Sequence, residues 1–176
     1  GYQNLTKLSS LSYLKNKDSN DHYCEVSDLI SNNEDLILLT GNYNDFFGKL
    51  FNANKEKNIE NIIKELKLCF QDRLYVEIQR HNETFEVNYE NYLLKISSIY
   101  DLPLIAGQEV YYLSPDMAEA HDALICIGEK KFVDDQKRFR FSNQHYFKKS
   151  NDLKELYKDI PEALENNYNF PQRFSF

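Results

Sequence analysis

"LYVEIQRH", residues 74–81, decides how the chain is read: a buried β-strand that runs straight into a histidine. The flanking segments have the helical period. Before it, "NIENIIKELKLCF" places Ile59, Ile62, Ile63, Leu66 and Phe70 at i, i+3, i+4, i+7 and i+11, one apolar stripe with Glu60, Lys64 and Lys67 turned outward. After it, "FEVNYENYLLKISSIY" carries Tyr89, Tyr92, Leu93, Ile96 and Tyr100 on one side. Helix, strand, helix is the unit of a parallel sheet.

Further out the alternation continues. "EDLILLTG" is a short continuous apolar run ended by Gly41, the pattern of a strand buried on both faces. Pro103 opens "PLIAGQ", since a first strand position tolerates a missing donor. "SPDMAEAHDALICIG" reads as a helix with Ser114 as N-cap, Pro115 in the first turn, Asp116 at the positive end and Gly128 as its stop. Alternation of this kind implies right-handed crossovers and a mostly parallel α/β fold. Upstream, Leu5, Leu8 and Leu11 recur at near-helical spacing, and residues 16–28 read as a polar surface loop. The chain opens without Met and already in helical register, which reads as a fragment entered inside a folded unit. Downstream, "RFRF" alternates as a short extended piece. "SNDLKELY" and "DIPEALENN" read as short helices, the second with Asp159 and Glu162 as a capping box.

The totals restrict function. The 176 residues are 41% apolar and 14% aromatic, enough for a real core, and carry a net charge of -7. A surface that grips nucleic-acid phosphates needs a basic face. The one basic run, "KKFVDDQKRFRF", is interrupted by Asp134 and Asp135, so this segment is not the part that would hold DNA. Cys24, Cys69 and Cys126 lie far apart in no CxxC pattern, which fits reduced thiols in a cytoplasmic protein. No apolar run is long enough to cross a bilayer. Five glycines include no GxGxxG or P-loop.

In parallel α/β folds ligands gather at the carboxyl ends of the strands. Those positions are Asn42, His81, Glu109 and Tyr111. A zinc site needs three or four His, Cys, Asp or Glu donors and a two-metal phosphoesterase more; only His81 and Glu109 qualify. Of the other histidines, His22 is a lone loop residue. His121 shares a helical face with Met117, Ala120 and Leu124 and reads as a packing residue, and His145 has no acidic partner at ligand spacing. Asp134 and Asp135 are neighbours crowded by Lys and Arg, hence loop charges.

The segments "GYQNLTKLSSLSY", "LYVEIQRH", "VYYLSPDMAEAHDALICIG", "DDQKRFRFS" and "DIPEALENN" resemble, in order and spacing, the polymerase-and-histidinol-phosphatase (PHP) domain of the bacterial replicative DNA polymerase III alpha subunits. The resemblance implies a partial, distorted (β/α)7 PHP-type barrel over residues 1–150, lacking its N-terminal strands, and a helical tail over 151–176 leading towards the polymerase palm. It implies that an HxH ligand pair lies upstream and the magnesium-dependent catalytic aspartates downstream. Metal-binding members of the family tend to have cysteine at the position of Asn42 and histidine at that of His81. Where they read Asp-Val-His-Tyr, this chain has Glu109, Val110, Tyr111 and Tyr112. The resemblance thus implies a vestigial metal site with no catalytic or cofactor-binding residues in this segment. The implied role is that of a scaffold for other holoenzyme subunits, the proofreading exonuclease first, with DNA held by other domains of the parent polymerase. Two alternatives stand beside it: an active metal-dependent PHP phosphoesterase or 3′–5′ proofreading nuclease, and a free-standing PHP hydrolase.

Overall fold

A computed structural model describes residues 1–15 and 22–174. It contains eight α-helices and three strands among those residues: α1 (Tyr2–Lys15), α2 (Val26–Ser31), β1 (Leu38–Leu39), α3 (Phe46–Asn52), α4 (Glu56–Phe70), β2 (Leu74–Gln79), α5 (Glu86–Tyr100), β3 (Leu104–Gly107), α6 (Ala118–Glu129), α7 (Ser150–Leu156) and α8 (Pro161–Asn169). The strands form one sheet in the order β1-β2-β3. β1 pairs with β2 in parallel, Leu38 opposite Leu74 and Leu39 opposite Tyr75. The mixed helix and strand content and the small parallel sheet agree with the α/β reading.

The chain divides into two compact units, one of Gly1–Glu77 with Leu93–Pro103 and the other of Ile78–Tyr92 with Leu104–Phe176. In the first, the apolar stripe of α4 is buried as its spacing requires: Ile59, Ile63, Leu66 and Phe70 are all inaccessible. Arg73 ties the end of α4 to the segment before β1, donating to the carbonyls of Asn33 and Leu36 at 2.6 Å and of Cys69 at 3.1 Å. Thr40, buried just past β1, accepts the Glu77 N–H at 3.0 Å through its hydroxyl. Gly41 follows at φ +76°, and a Cβ there would come within 2.6 Å of the Asp45 carboxylate. Only glycine turns the chain so sharply at no cost.

In the second unit the tail is part of the core. Tyr157, Ile160 and Ala163 are buried. The Tyr157 hydroxyl lies 3.1 Å from the carbonyl of Ile78 and 3.0 Å from that of Gly107, sharing its proton between the ends of β2 and β3. Burial keeps that phenol protonated, raising its pKa well above the ordinary value. Replacing Tyr157 with Phe is expected to cost about 1–1.5 kcal/mol, the net worth of one such bond, read as a lower urea midpoint at unchanged m-value.

Several local expectations are corrected. The strand expected from "EDLILLTG" shrinks to two half-buried residues, because a turn precedes it and Gly41 ends it. The polar stretch 16–28 is not all loop: α2 starts at Val26, with Asp28 accepting the Glu25 N–H, while 16–21 fall outside the described residues. α3 was not expected, although Phe47, Leu50 and Phe51 have the helical spacing. A 3-10 turn (Pro115–Met117) opens the helix after β3, and the Ser114 side chain makes no cap bond. Gly128 does not stop that helix. Lys130 does, at φ 55°, which lets the Lys131 N–H reach the Cys126 carbonyl at 2.9 Å. "RFRF" forms no strand. Asp159 does not cap α8, because Arg80 takes its carboxylate.

Candidate functional site

In the second unit the loops after β2 and β3, the first turn of α6 and the segment before α7 bring His81, Glu109, Tyr111, His121 and His145 together. His81 lies two residues past the end of β2 and is 3% exposed. Its backbone N–H donates to both oxygens of Glu86 at 2.8 and 3.1 Å, and its Nδ1 lies 2.9 Å from Glu86 Oε1. On the other side of the ring the Glu109 N–H donates to Nε2 at 3.1 Å. An amide can only donate, so Nε2 holds the lone pair and Nδ1 the proton. Both ring nitrogens are therefore committed.

Glu86 is in the first turn of α5 and also accepts the Glu83 N–H at 3.1 Å. Burial works to raise its pKa, but the bonds from the His81 ring, the His81 amide and the Glu83 amide prevail and hold the carboxylate below its ordinary range. Glu83 in turn accepts the Ser142 N–H at 2.7 Å, and the Ser142 hydroxyl donates to the His81 carbonyl.

His145 stacks on His81, ring centroids 4.1 Å apart and planes 1° from parallel. Its Nδ1 donates to the Glu109 carbonyl at 3.2 Å, while its Nε2 is buried with no hydrogen-bond partner among the described residues. Burial first, and then the charge a protonated His81 would carry, push its pKa down to about 4. Glu109 thus joins the two histidines through its backbone, donating to one and accepting from the other. Its side chain accepts the Tyr111 hydroxyl at 2.5 Å. Tyr111 stacks on His121 at 4.9 Å and contacts Phe141 at 4.7 Å and His145 at 5.3 Å. Phe141 meets His145 edge-on at 4.9 Å.

Asn42 lies in the other unit, in a turn of its own: its N–H donates to Asp45 Oδ2 at 2.9 Å and its Oδ1 accepts the Asn44 N–H at 2.8 Å. Of the four strand-end positions, His81, Glu109 and Tyr111 thus share one cluster. His121 is half-buried as expected, yet the face assigned to it is open, with Met117 42% and Leu124 64% exposed. His22 stacks on Tyr13 at 4.5 Å.

Sequence reasoning missed His145 and Glu86. A partner 64 residues from His81 leaves no signal in spacing. Glu86 did leave one: a carboxylate in the first turn of a helix, five residues past the strand-end histidine, is placed to cap the intervening loop.

Among the described residues no group of three or more His, Cys, Asp and Glu side chains is placed to hold a metal ion. The donors present do not fit one, since the His81 lone pair is spent on an amide and the Glu86 carboxylate on three N–H groups. Within the basic run Arg138 is withdrawn, while Lys130, Lys131, Lys137 and Arg140 are exposed. Arg138, its side chain 1% exposed, forms a two-pronged pair with Asp122, and Arg140 donates to the carbonyls of Val133 and Asp135. No helix is long and apolar enough to cross a membrane among the described residues.

Residues 1–81 match the family model described as the PHP domain. Across its whole length the chain is similar to the DNA polymerase III subunit alpha of Caulobacter vibrioides, 34% identical over 176 residues. It is 36% identical over 176 residues to that of Rickettsia bellii. For Pseudomonas aeruginosa the figure is 33% over 177 residues, 98% of this chain. The chain spans about 15% of the length of each of these relatives.

Proposed function

We propose that this chain, which matches the PHP domain over residues 1–81 and is similar along its whole length to DNA polymerase III alpha subunits, serves as a non-catalytic scaffold segment of a replicative polymerase. On this reading residues 1–150 contribute part of a distorted (β/α)7 barrel and 151–176 lead towards the palm. The parent enzyme performs DNA-templated DNA synthesis in the cytoplasm with magnesium held by residues outside this chain. The surfaces of this segment serve other polymerase III holoenzyme subunits, the proofreading exonuclease among them, and DNA is bound by other domains.

The observation that carries the reading is the commitment of His81. With Nε2 accepting the Glu109 amide and Nδ1 bonded to Glu86, a metal would have to break the loop's own bonds to gain one ligand. Tyr111 supports it, placing a stacked phenol where metal-binding family members carry an imidazole. The alternative, an active metal-dependent PHP phosphoesterase or 3′–5′ proofreading nuclease, draws on the buried, unpartnered Nε2 of His145.

Metal analysis separates the two. After equilibration with manganese or zinc and desalting, the protein is expected to retain well under one ion per chain, to hydrolyse no phosphoester, and to behave the same with His81 replaced by Ala. Stoichiometric metal that is lost in His81→Ala would establish the nuclease reading instead.

A further inference from the structure

Among the described residues β3 is the last strand of the sheet, and its outer edge at 104–107 is closed by side chains rather than by another strand. Along a strand, successive residues present their backbone groups to opposite edges. The Pro103 carbonyl accepts the Val76 N–H at 2.9 Å, so residues 104 and 106 present theirs on the side away from β2. There the Ala106 N–H donates to Asn167 Oδ1 at 2.9 Å, and Asn167 Nδ2 donates back to the Ala106 carbonyl at 2.7 Å. One carboxamide exchanges both bonds with one residue, as the partner in an antiparallel hydrogen-bonded pair does. Next to it, Asn166 Nδ2 donates to the Leu104 carbonyl at 2.7 Å. Two adjacent asparagines of α8 thus meet the alternate positions that a further strand would meet.

We propose that α8 is a strand-mimicking latch: the carboxamides of Asn166 and Asn167 occupy the outer backbone groups of β3 and keep that edge from accepting another strand. β3, "LIAG", is uncharged and apolar, with no proline or lysine of its own to deter pairing. The guard is therefore supplied from outside the strand, and it is light. Asn166 and Asn167 are only half-buried, and their bonds to β3 compete with water. The edge can open by local lifting of α8 without global unfolding, the kind of sub-global motion that backbone exchange detects.

Hydrogen exchange followed by mass spectrometry on the intact protein tests this. In Asn166→Ala/Asn167→Ala the peptide covering 104–107 is expected to exchange at least tenfold faster, with the peptide covering β2 unchanged. Asn166→Ala alone removes only a donor to the Leu104 carbonyl, leaves the acceptor of the Ala106 N–H in place, and is expected to retain most of the protection. Unchanged exchange at 104–107 in the double variant would overturn the proposal, because something else would then close the edge. So would equal acceleration in every peptide, which would make the two asparagines part of the global fold, and so would loss of protection in Asn166→Ala as large as in the double variant.

Discussion

Replacing Arg80 with alanine is expected to destabilise the protein by about 3 kcal/mol, at the lower end of what breaking a buried ion pair costs. Arg80 leaves β2 one residue before His81, and its side chain is 17% exposed. Its fork is fully used. Nε and Nη2 hold Glu90, at 3.0 Å from Nε to Oε2 and 2.5 Å from Nη2 to Oε1. Nη1 and Nη2 each hold one oxygen of Asp159 at 2.7 Å, and Nη1 also reaches the Leu156 carbonyl at 2.6 Å. The guanidinium lies over the Tyr157 ring, 5.1 Å from its centroid. The partners differ in what they lose. Glu90, 18% exposed, is left as a part-buried charge without compensation, whereas Asp159, 59% exposed, is rehydrated at little cost. Glu90 therefore sets the size of the effect. For a chain of this length the loss corresponds to a fall in Tm of roughly 6–12 °C. Arg80→Lys is expected to recover less than half of it, since one ammonium cannot hold two carboxylates bidentately. Asp159→Ala should cost below about 1 kcal/mol. An Arg80→Ala protein that melted with the wild type would show the fork to be ornamental.

Arg80 also shows where the sequence stops being legible. The α4 stripe, the β2 strand, the α5 helix and the Pro103 opening of β3 could all be read, because each is fixed by the period of its own residues. The position of His81 at a strand end follows from the same local logic. What could not be read are the partners that chain reversal supplies: Asp159 for Arg80, 79 residues away, and Ser142 for His81, 61 residues away. Such contacts also overrule local signals. Asp159 has the spacing of a cap for α8 but pairs with Arg80. The "KRFRF" run has the composition of a basic patch, but Asp122 draws Arg138 inward and the Val133 and Asp135 carbonyls tie down the exposed Arg140. His145, dismissed for want of a neighbour in sequence, is the ring on which His81 rests.

That ring gives the second large effect, an acid lability centred on His145. Its pKa is pushed down to about 4, first by burial and then by the charge that His81 would carry at 4.1 Å, against the bond to the Glu109 carbonyl and the Glu86 carboxylate that oppose them. An unfolded chain protonates the same side chain near pH 6.5. Between pH 6.5 and 4 the unfolded state therefore binds more protons than the folded one, so stability rises with pH across that window and is lost as the pH falls through it. One proton sets an upper limit of about 1.4 kcal/mol per pH unit. Glu86 acts lower. Its folded pKa is depressed, so what it contributes is complete above the unfolded carboxylate range and disappears only as pH falls through the folded value. The melting temperature is accordingly expected to decline in two stages, one from pH 6.5 to 4 through His145 and a second at lower pH as Glu86 takes up its proton. Replacing His145 with Phe keeps an aromatic ring against His81 and Tyr111 but removes the titration. That variant should run nearly flat through the first stage and join the wild type in the second. Calorimetry at half-unit intervals from pH 7 to 3.5 reads both stages, and an unchanged slope between 6.5 and 4 in His145→Phe would mean that a different group takes up the proton.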